Sequence, residues 1–525
     1  MAVLNFRKRE RSDFPRRTDS DDSASDRKDE KVDEDLSGEH VERQDPDVQQ
    51  QASVLASIDP AKEKRLVRKI DRWLIPLVML LYLMSFIDRV NLGNARLYGL
   101  EEDLGMNQET GYEFSVAITV LFPTYVAFEL PSNLVMKHYV RPSRWIAFIT
   151  ISWGFVATFS GFTQTYGGLL ACRVLLGLTE AGLFPGLVIY LTLFYTRQEI
   201  ALRTGYLFVS AAVSGSVAGL LAYGIGFMDG LAGMSGWRWI LIIQGLPTII
   251  LGLYCIWGLA DDADTAFFLN EEERALVKAR RAAQGTTNEF DWADFRLGMK
   301  DWKTYVFSLT QFCGNVSHYA YATFLPTIIR EIFPDASTAI VQLYTVPCYA
   351  TGAISYLIVA WFSDRTQLRG PFASVFAFIS ATGYAILVGA GLTGTGPGVL
   401  YFGCFVAAAG IYVILGLNIA WLNTNNPRYG KRATASGMQI MLGNIPGVIS
   451  PWLYTNSDAP LYTKGHSVNV ALVALAGVVH GFMFFYFTWE NKQRSMGKRD
   501  YKIEGKTEEE IAEMADESPR FRFTR

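Results

Sequence analysis

The sequence predicts an all-α membrane protein, with twelve transmembrane helices in two bundles of six. Three observations predict it. Twelve apolar runs follow one another from Trp73, each about the 20 residues needed to cross a ~30 Å hydrocarbon core. The short loops between them alternate strictly between basic and base-poor. The longest connection, about 260–302, falls between the sixth and seventh runs. Composition agrees: hydrophobic residues make up 50% and charged residues 19% of the 525, against roughly 25% charged in a soluble protein, so water does not solvate most of this chain. Continuous apolarity without alternation excludes a β-barrel.

Residues 1–60 hold 16 acidic and 10 basic residues and scarcely any aromatics, which predicts a disordered cytoplasmic tail, with Ser20, Ser23 and Ser25 as candidate phosphorylation sites. The N-terminus has no apolar core or cleavage site of a signal peptide, so the first crossing must act as the targeting signal. The crossings are predicted at 73–97, 111–136, 143–163, 167–193, 203–227 and 238–259, then 303–328, 338–362, 371–392, 398–422, 433–453 and 467–489. This divides the chain into an N-terminal bundle (61–259), a cytoplasmic linker (260–302), a C-terminal bundle (303–490) and a cytoplasmic tail (491–525).

Basic residues cluster before the first crossing (Lys62, Lys64, Arg65, Arg68, Lys69), and Lys137, Arg141, Arg144, Arg365, Arg369, Arg428, Lys431 and Arg432 occupy alternate loops. LEEDLGMNQETG, SGFTQTYGG and LTGTGPG carry no positive charge, so both termini are expected in the cytoplasm. In the linker, Asn270 and Glu273 should form a capping box opening a cytoplasmic surface helix that ends at Gly285; Thr507 and Glu510 should cap another short helix.

A net charge of −3 gives no basic footprint for nucleic acid. Five dispersed cysteines suggest neither disulfides nor zinc, but buried thiols. No phosphate-binding loop, H-E-x-x-H or C-x-x-C is present, so an enzyme and an ATP-driven pump are disfavoured and no cofactor is expected.

Charge inside a bilayer costs at least ~2.5 kcal/mol per group, so intramembrane charges mark function or pair tightly. The first crossing holds Asp88 and Arg89; the fourth holds Arg173 and Glu180, seven residues apart and therefore on one face, able to share a cavity. A carboxylate beside an arginine can hold a proton while a substrate anion occupies the arginine and lose it when the arginine returns, which is what proton-coupled anion transport requires. The alternative is buried ion pairs that only lock the two helices. Asn315, His318 and Asn444 either contact substrate or serve as interhelical hydrogen-bonding groups. Pro123, Pro131, Pro185, Pro326, Pro347 and Pro446 should bend their helices.

SFIDRVNLGNA, FELPSNL, RPSRW, RVLLGLTEAGLFPG and MSGWRWILIIQG together resemble the anion:cation symporter branch of the major facilitator superfamily, especially the fungal allantoate and nicotinic acid permease group, from about Lys64 to Lys492. The resemblance implies the major facilitator fold, carboxylate binding by Arg89 and Arg173, proton coupling at Asp88 and Glu180, and a cavity tyrosine at Tyr125. It also implies a cytoplasmic latch at AWFSDRTQLRG, where Ala360 replaces the usual glycine and Asp364 and Arg365 are structural; its counterpart KHYVRPSRW is degenerate. The expected function is proton-coupled uptake of a small organic anion such as nicotinate, pantothenate, biotin or allantoate, by a monomer in the plasma membrane, with Asn315 and Asn444 as further contacts. An efflux carrier of the same fold and a non-transporting nutrient receptor are the alternatives.

Overall fold

The computed structural model describes residues 59–282 and 292–525. The acidic segment with Ser20, Ser23 and Ser25, and the expected helix terminator Gly285, lie outside the described residues. Every regular element among the described residues is helical, and nine segments are long and apolar enough to cross a membrane.

Helix α1 (Pro60–Arg96) starts where Asp59 accepts from the Ala61 amide at 2.9 Å and Pro60 opens the first turn. It begins 13 residues before the predicted crossing; its 37 residues measure roughly 55 Å, so its basic first turns extend past the ~30 Å core. The second predicted crossing is two helices, α2 (Tyr112–Thr119) and α3 (Leu121–His138). α4 (Pro142–Ser160) covers the third predicted crossing but is not among the nine membrane-length segments. The fourth divides into α5 (Tyr166–Glu180) and α6 (Leu183–Leu191) around Gly182, whose φ of 84° suits glycine. Continuous helices were expected in both places. Proline explains the breaks, since its ring obstructs the carbonyl four residues earlier: Pro123 faces Thr119, the last residue of α2, and Pro185 faces Ala181, just after α5.

α7 (Arg197–Gly226) and α8 (Gly236–Gly258) complete the first half. α9 (Glu271–Ala282) carries the expected capping box, with Glu273 N to Asn270 Oδ1 at 2.8 Å and Asn270 N to Glu273 Oε2 at 2.9 Å. It is docked, not free: Arg280 is buried and bonds Glu63 at 2.8 Å and Glu199 at 2.6 Å, and Lys69 reaches Glu273 at 2.7 Å. A second linker helix, α10 (Trp292–Lys300), was not anticipated.

α11 (Trp302–Ile332), α12 (Thr338–Thr366), α13 (Gly370–Thr393) and α14 (Pro397–Thr424) follow. The eleventh predicted crossing is interrupted at Pro446, giving α15 (Tyr429–Asn444), α16 (Pro446–Ile449) and a 3₁₀ turn over Ser450–Leu453. α17 (Thr463–Ser495) covers the twelfth predicted crossing. The tail then folds back onto this half. Thr507 and Glu510 cap α18 (Glu508–Glu513) as expected. Asp516 bonds Lys431 at 2.7 Å and Lys303 at 2.8 Å, and the Phe523 ring stacks on Phe487 at 4.7 Å. At the predicted latch, Asp364 pairs with Arg369 at 3.1 Å and Arg365 lies over Trp361, a local arrangement at the end of α12. All five cysteines are free, four of them buried and Cys172 half-buried.

α1 packs against α11 and α7 against α12, joining the helices before 260 to those after 302. At Gly93 the approach of α1 to α11 is so close that a Cβ would collide with the Thr323 carbonyl oxygen. Further links concentrate at one end: Ser115 Oγ to Pro451 O at 2.9 Å, Thr119 Oγ1 to Val448 O at 3.4 Å, and Gln342 Nε2 to Asn94 O at 3.3 Å. This end carries the base-poor loops. The main cavity lies beyond this seal, toward the basic loops.

Candidate functional site

Ser85 and Arg89 stand one turn apart on α1, so both side chains meet the end of α5, where Glu180 is fully buried. Arg89 donates to Glu180 Oε1 from Nη2 at 3.0 Å and from Nε at 3.3 Å, and Ser85 Oγ donates to the same oxygen. The other carboxylate oxygen, Oε2, is buried without a partner. The burial of that oxygen is offset by no hydrogen bond.

Arg89 itself is the hinge of the arrangement. Its guanidinium is flanked by the Phe86 ring at 5.0 Å and the Tyr125 ring at 5.1 Å, and 15% of the side chain remains exposed. It lines two adjoining cavities. The larger of the two has a cavity volume of about 80 Å³ and is walled by Tyr82, Phe184, Tyr319 and Tyr412, with Glu129, Asn315, His318 and Asn444 among its polar groups. The smaller, nearer the seal, is lined by Arg173, whose Nε is buried and unpartnered. A cation held open to a cavity by aromatic faces and one carboxylate can exchange that carboxylate for a ligand's.

Adjacent residues on a helix point apart, and Asp88 accordingly does not share the Arg89 knot. It is buried and accepts from Trp153 Nε1 and from Asn91 Nδ2 at 3.4 Å. Glu180 likewise sits behind Arg89 and outside the walls of both cavities, so Arg173 and Glu180 both face α1 without lining a common space. From the second half, Asn315 Nδ2 donates to Gly443 O at 2.7 Å and Asn444 Oδ1 accepts from Tyr319 at 3.3 Å; both asparagines also face the cavity. Ser85, Trp153 and Gln311 are site residues that sequence reasoning missed. A signal existed for Gln311, since Gln311, Asn315 and His318 follow the i, i+4, i+7 rhythm of one helix face. Among the described residues no three His, Cys, Asp or Glu side chains gather as a metal site.

Apolar helices from before residue 260 and after residue 302 together enclose a polar cavity, the architecture of a membrane transporter. The chain belongs to the major facilitator superfamily, whose family profile matches residues 78–451. It is 38% identical to an uncharacterized transporter of Schizosaccharomyces pombe over 86% of this chain and 89% of the relative. It is 30% identical to the high-affinity nicotinic acid transporter of Saccharomyces cerevisiae over 88% and 85%. In fold it resembles a bacterial homologue of the human lysosomal transporter Spinster in an inward-facing, unoccupied conformation, with a TM-score of 0.61 at 16% identity over 78% of this chain and 95% of the other. It also resembles the xylose transporter XylE from E. coli in a partially occluded inward-open conformation, with a TM-score of 0.60 at 12% identity over 77% and 97%.

Proposed function

We propose that the protein carries a small organic anion into the cell together with a proton, with residues 61–259 and 303–490 acting as two bundles that rock about the cavity. The observation that carries the reading is the shared oxygen of Glu180. Arg89, exposed to the cavity on one side, holds one oxygen of a fully buried carboxylate whose other oxygen has no partner. When a substrate carboxylate takes Arg89, Glu180 loses its countercharge and binds a proton; when substrate leaves, Arg89 returns and the proton is released. Arg173, which lines the adjoining cavity, supplies the second guanidinium that grips the substrate carboxylate, and Asp88, held by Trp153, serves as the second proton-coupling carboxylate. Similarity to a nicotinic acid transporter supports a carboxylate as cargo.

Both termini lie in the cytoplasm in this scheme, so the seal around Ser115 and Pro451 is external and the conformation is inward-facing. The test is uptake of labelled carboxylates into expressing cells at acid and neutral external pH, with and without a protonophore. Acid-stimulated, protonophore-sensitive uptake is expected; accumulation that ignores both would refute the coupling.

A further inference from the structure

The seal at the base-poor end holds an arginine whose surroundings repeat those of Arg89. Arg96 follows Arg89 by seven residues on α1, which places it on the same helix face roughly 10 Å farther toward that end. Like Arg89 it meets one carboxylate and an aromatic face. Its Nη2 lies 3.1 Å from Glu101 Oε1, on the short helix Leu100–Asp103, and its guanidinium lies 4.4 Å from the centre of the Phe114 ring. Arg89 opens to a cavity, but Arg96 is buried to all but 8%. What covers it comes from the second half. Asn456, in the segment before α17, accepts from Arg96 Nη2 through Oδ1 and donates through Nδ2 to Gln108 O, and the Phe324 ring on α11 lies 6.0 Å away. Arg96 Nη1 is buried without a partner. Arg238 and Arg330, also at this end, direct their guanidiniums at backbone carbonyls, Gly161 O and Thr163 O for the first and Ala336 O for the second.

The Asn456 bonds bridge the two halves, so opening this end takes Asn456 away and leaves Arg96 on α1 with Glu101 and Phe114. A guanidinium stripped of its cap has donors to fill, and a carboxylate fills two at once where the Asn456 oxygen filled one. The rim around it is acidic. Glu101, Glu102, Asp103, Glu109 and Glu113 lie between residues 97 and 120 with no basic residue among them, a charge that repels an approaching anion. Arg96 offsets that repulsion at the entrance. We propose that Arg96 is an external binding site for the substrate carboxylate, capped by Asn456 while the seal is closed and uncovered when it opens, from which the anion passes to Arg173 and Arg89. The inference rests on the organic-anion reading and its orientation, and adds to them a site outside the cavities.

The experiment measures the external concentration that gives half-maximal uptake of labelled nicotinate, pantothenate, biotin and allantoate by cells expressing the full chain, with surface labelling to establish that each variant reaches the membrane. For whichever anion is carried, Arg96→Lys keeps the charge but loses the planar fork, and should raise that concentration about tenfold. Asn456→Ala removes the cap and Glu101→Gln removes the competing carboxylate, so each should lower it about threefold. A plain latch behaves otherwise. Weakening either Arg96 or Asn456 would loosen the seal alike and move the value in one direction, and Glu101→Gln, confined to the first half, would not lower it. An unchanged or lowered value in Arg96→Lys, or a value that fails to fall in Asn456→Ala or Glu101→Gln, overturns the proposal. Glu101→Gln decides alone if Arg96→Lys is missing from the cell surface. Failure of the parent reading looks different: none of the four anions is taken up, or Arg89→Lys transports as the native protein does, and this inference falls with it.

Discussion

The two halves of the molecule face one cavity with different chemistry. Before residue 260, charges lie deep within the helices: Asp88, Arg89, Glu129, Arg173 and Glu180. After residue 302, charged residues keep to helix ends, and the deep polar groups include the amides Gln311, Asn315, Asn418 and Asn444 with His318 and His480. Charged groups exchange partners with large changes in energy, whereas satisfied amides hold a fixed direction. In the proposed mechanism proton and anion handling fall to the first half, while the second half contributes neutral polar groups to the cavity wall.

The sharpest way to break that division is to disturb the arginines. Arg89→Lys and Arg173→Lys keep the charge but lose the planar fork, and should each weaken substrate affinity by about 1.5–3 kcal/mol, on the order of ten- to hundredfold, measured by competition binding. Unaltered affinity in a normally expressed Arg173→Lys protein removes that residue from the site. On the other half, Asn315→Ala or Asn444→Ala removes one neutral hydrogen bond and should cost about 0.5–1.5 kcal/mol, with the pH dependence of transport unchanged. If either asparagine variant shifts the pH profile, coupling is not confined to the first half.

Orientation sharpens the same comparison, because it decides which face of the cavity sees the cell interior. Cysteines placed at Glu102 and Ser457, both exposed in base-poor loops, should react with an impermeant thiol reagent on intact cells. One at Lys278 on α9 should react only after permeabilisation. The smallest effect concerns the returning tail. Burial pushes the Asp516 carboxyl upward, but the Lys303 and Lys431 ammonium groups outweigh it and hold it below the ordinary aspartate range. Its contribution to stability is therefore complete above that range and is lost as pH falls through the lowered value. Asp516→Asn should lower the apparent melting temperature in detergent at neutral pH, and the gap from the native protein should close at strongly acid pH.

The charged half was the more legible of the two. Asp88, Arg89, Arg173 and Glu180 stand out because an ion in an apolar run violates the local pattern, and the seven-residue step on α5 placed Arg173 and Glu180 facing α1. Which carboxylate meets which arginine was not readable, since Trp153 reaches Asp88 across 65 residues and Ser85 reaches Glu180 across 95. An amide in a membrane helix violates no pattern, so Gln311 stands out less than the ions, and its bond to Asn418 spans 107 positions. The helix breaks near Pro123, Pro185 and Pro446 were foreseen as bends, but apolarity continues through them, and apolarity measures burial in lipid without reporting backbone continuity. Docking of the linker and tail was hidden because Arg280 and Asp516 look solvated until their distant partners are known.

The central claim is that Glu180 binds the coupled proton when Arg89 gives up its hold on the carboxylate. It is tested most directly by Glu180→Gln in proteoliposomes, following exchange of labelled for unlabelled substrate and uphill accumulation under an imposed pH gradient in the same preparation. Gln has nearly the shape of protonated Glu but can neither gain nor lose the proton, so exchange should persist while gradient-driven accumulation disappears. Accumulation by Glu180→Gln with the native pH dependence would contradict the account and turn attention to Asp88 and Glu129.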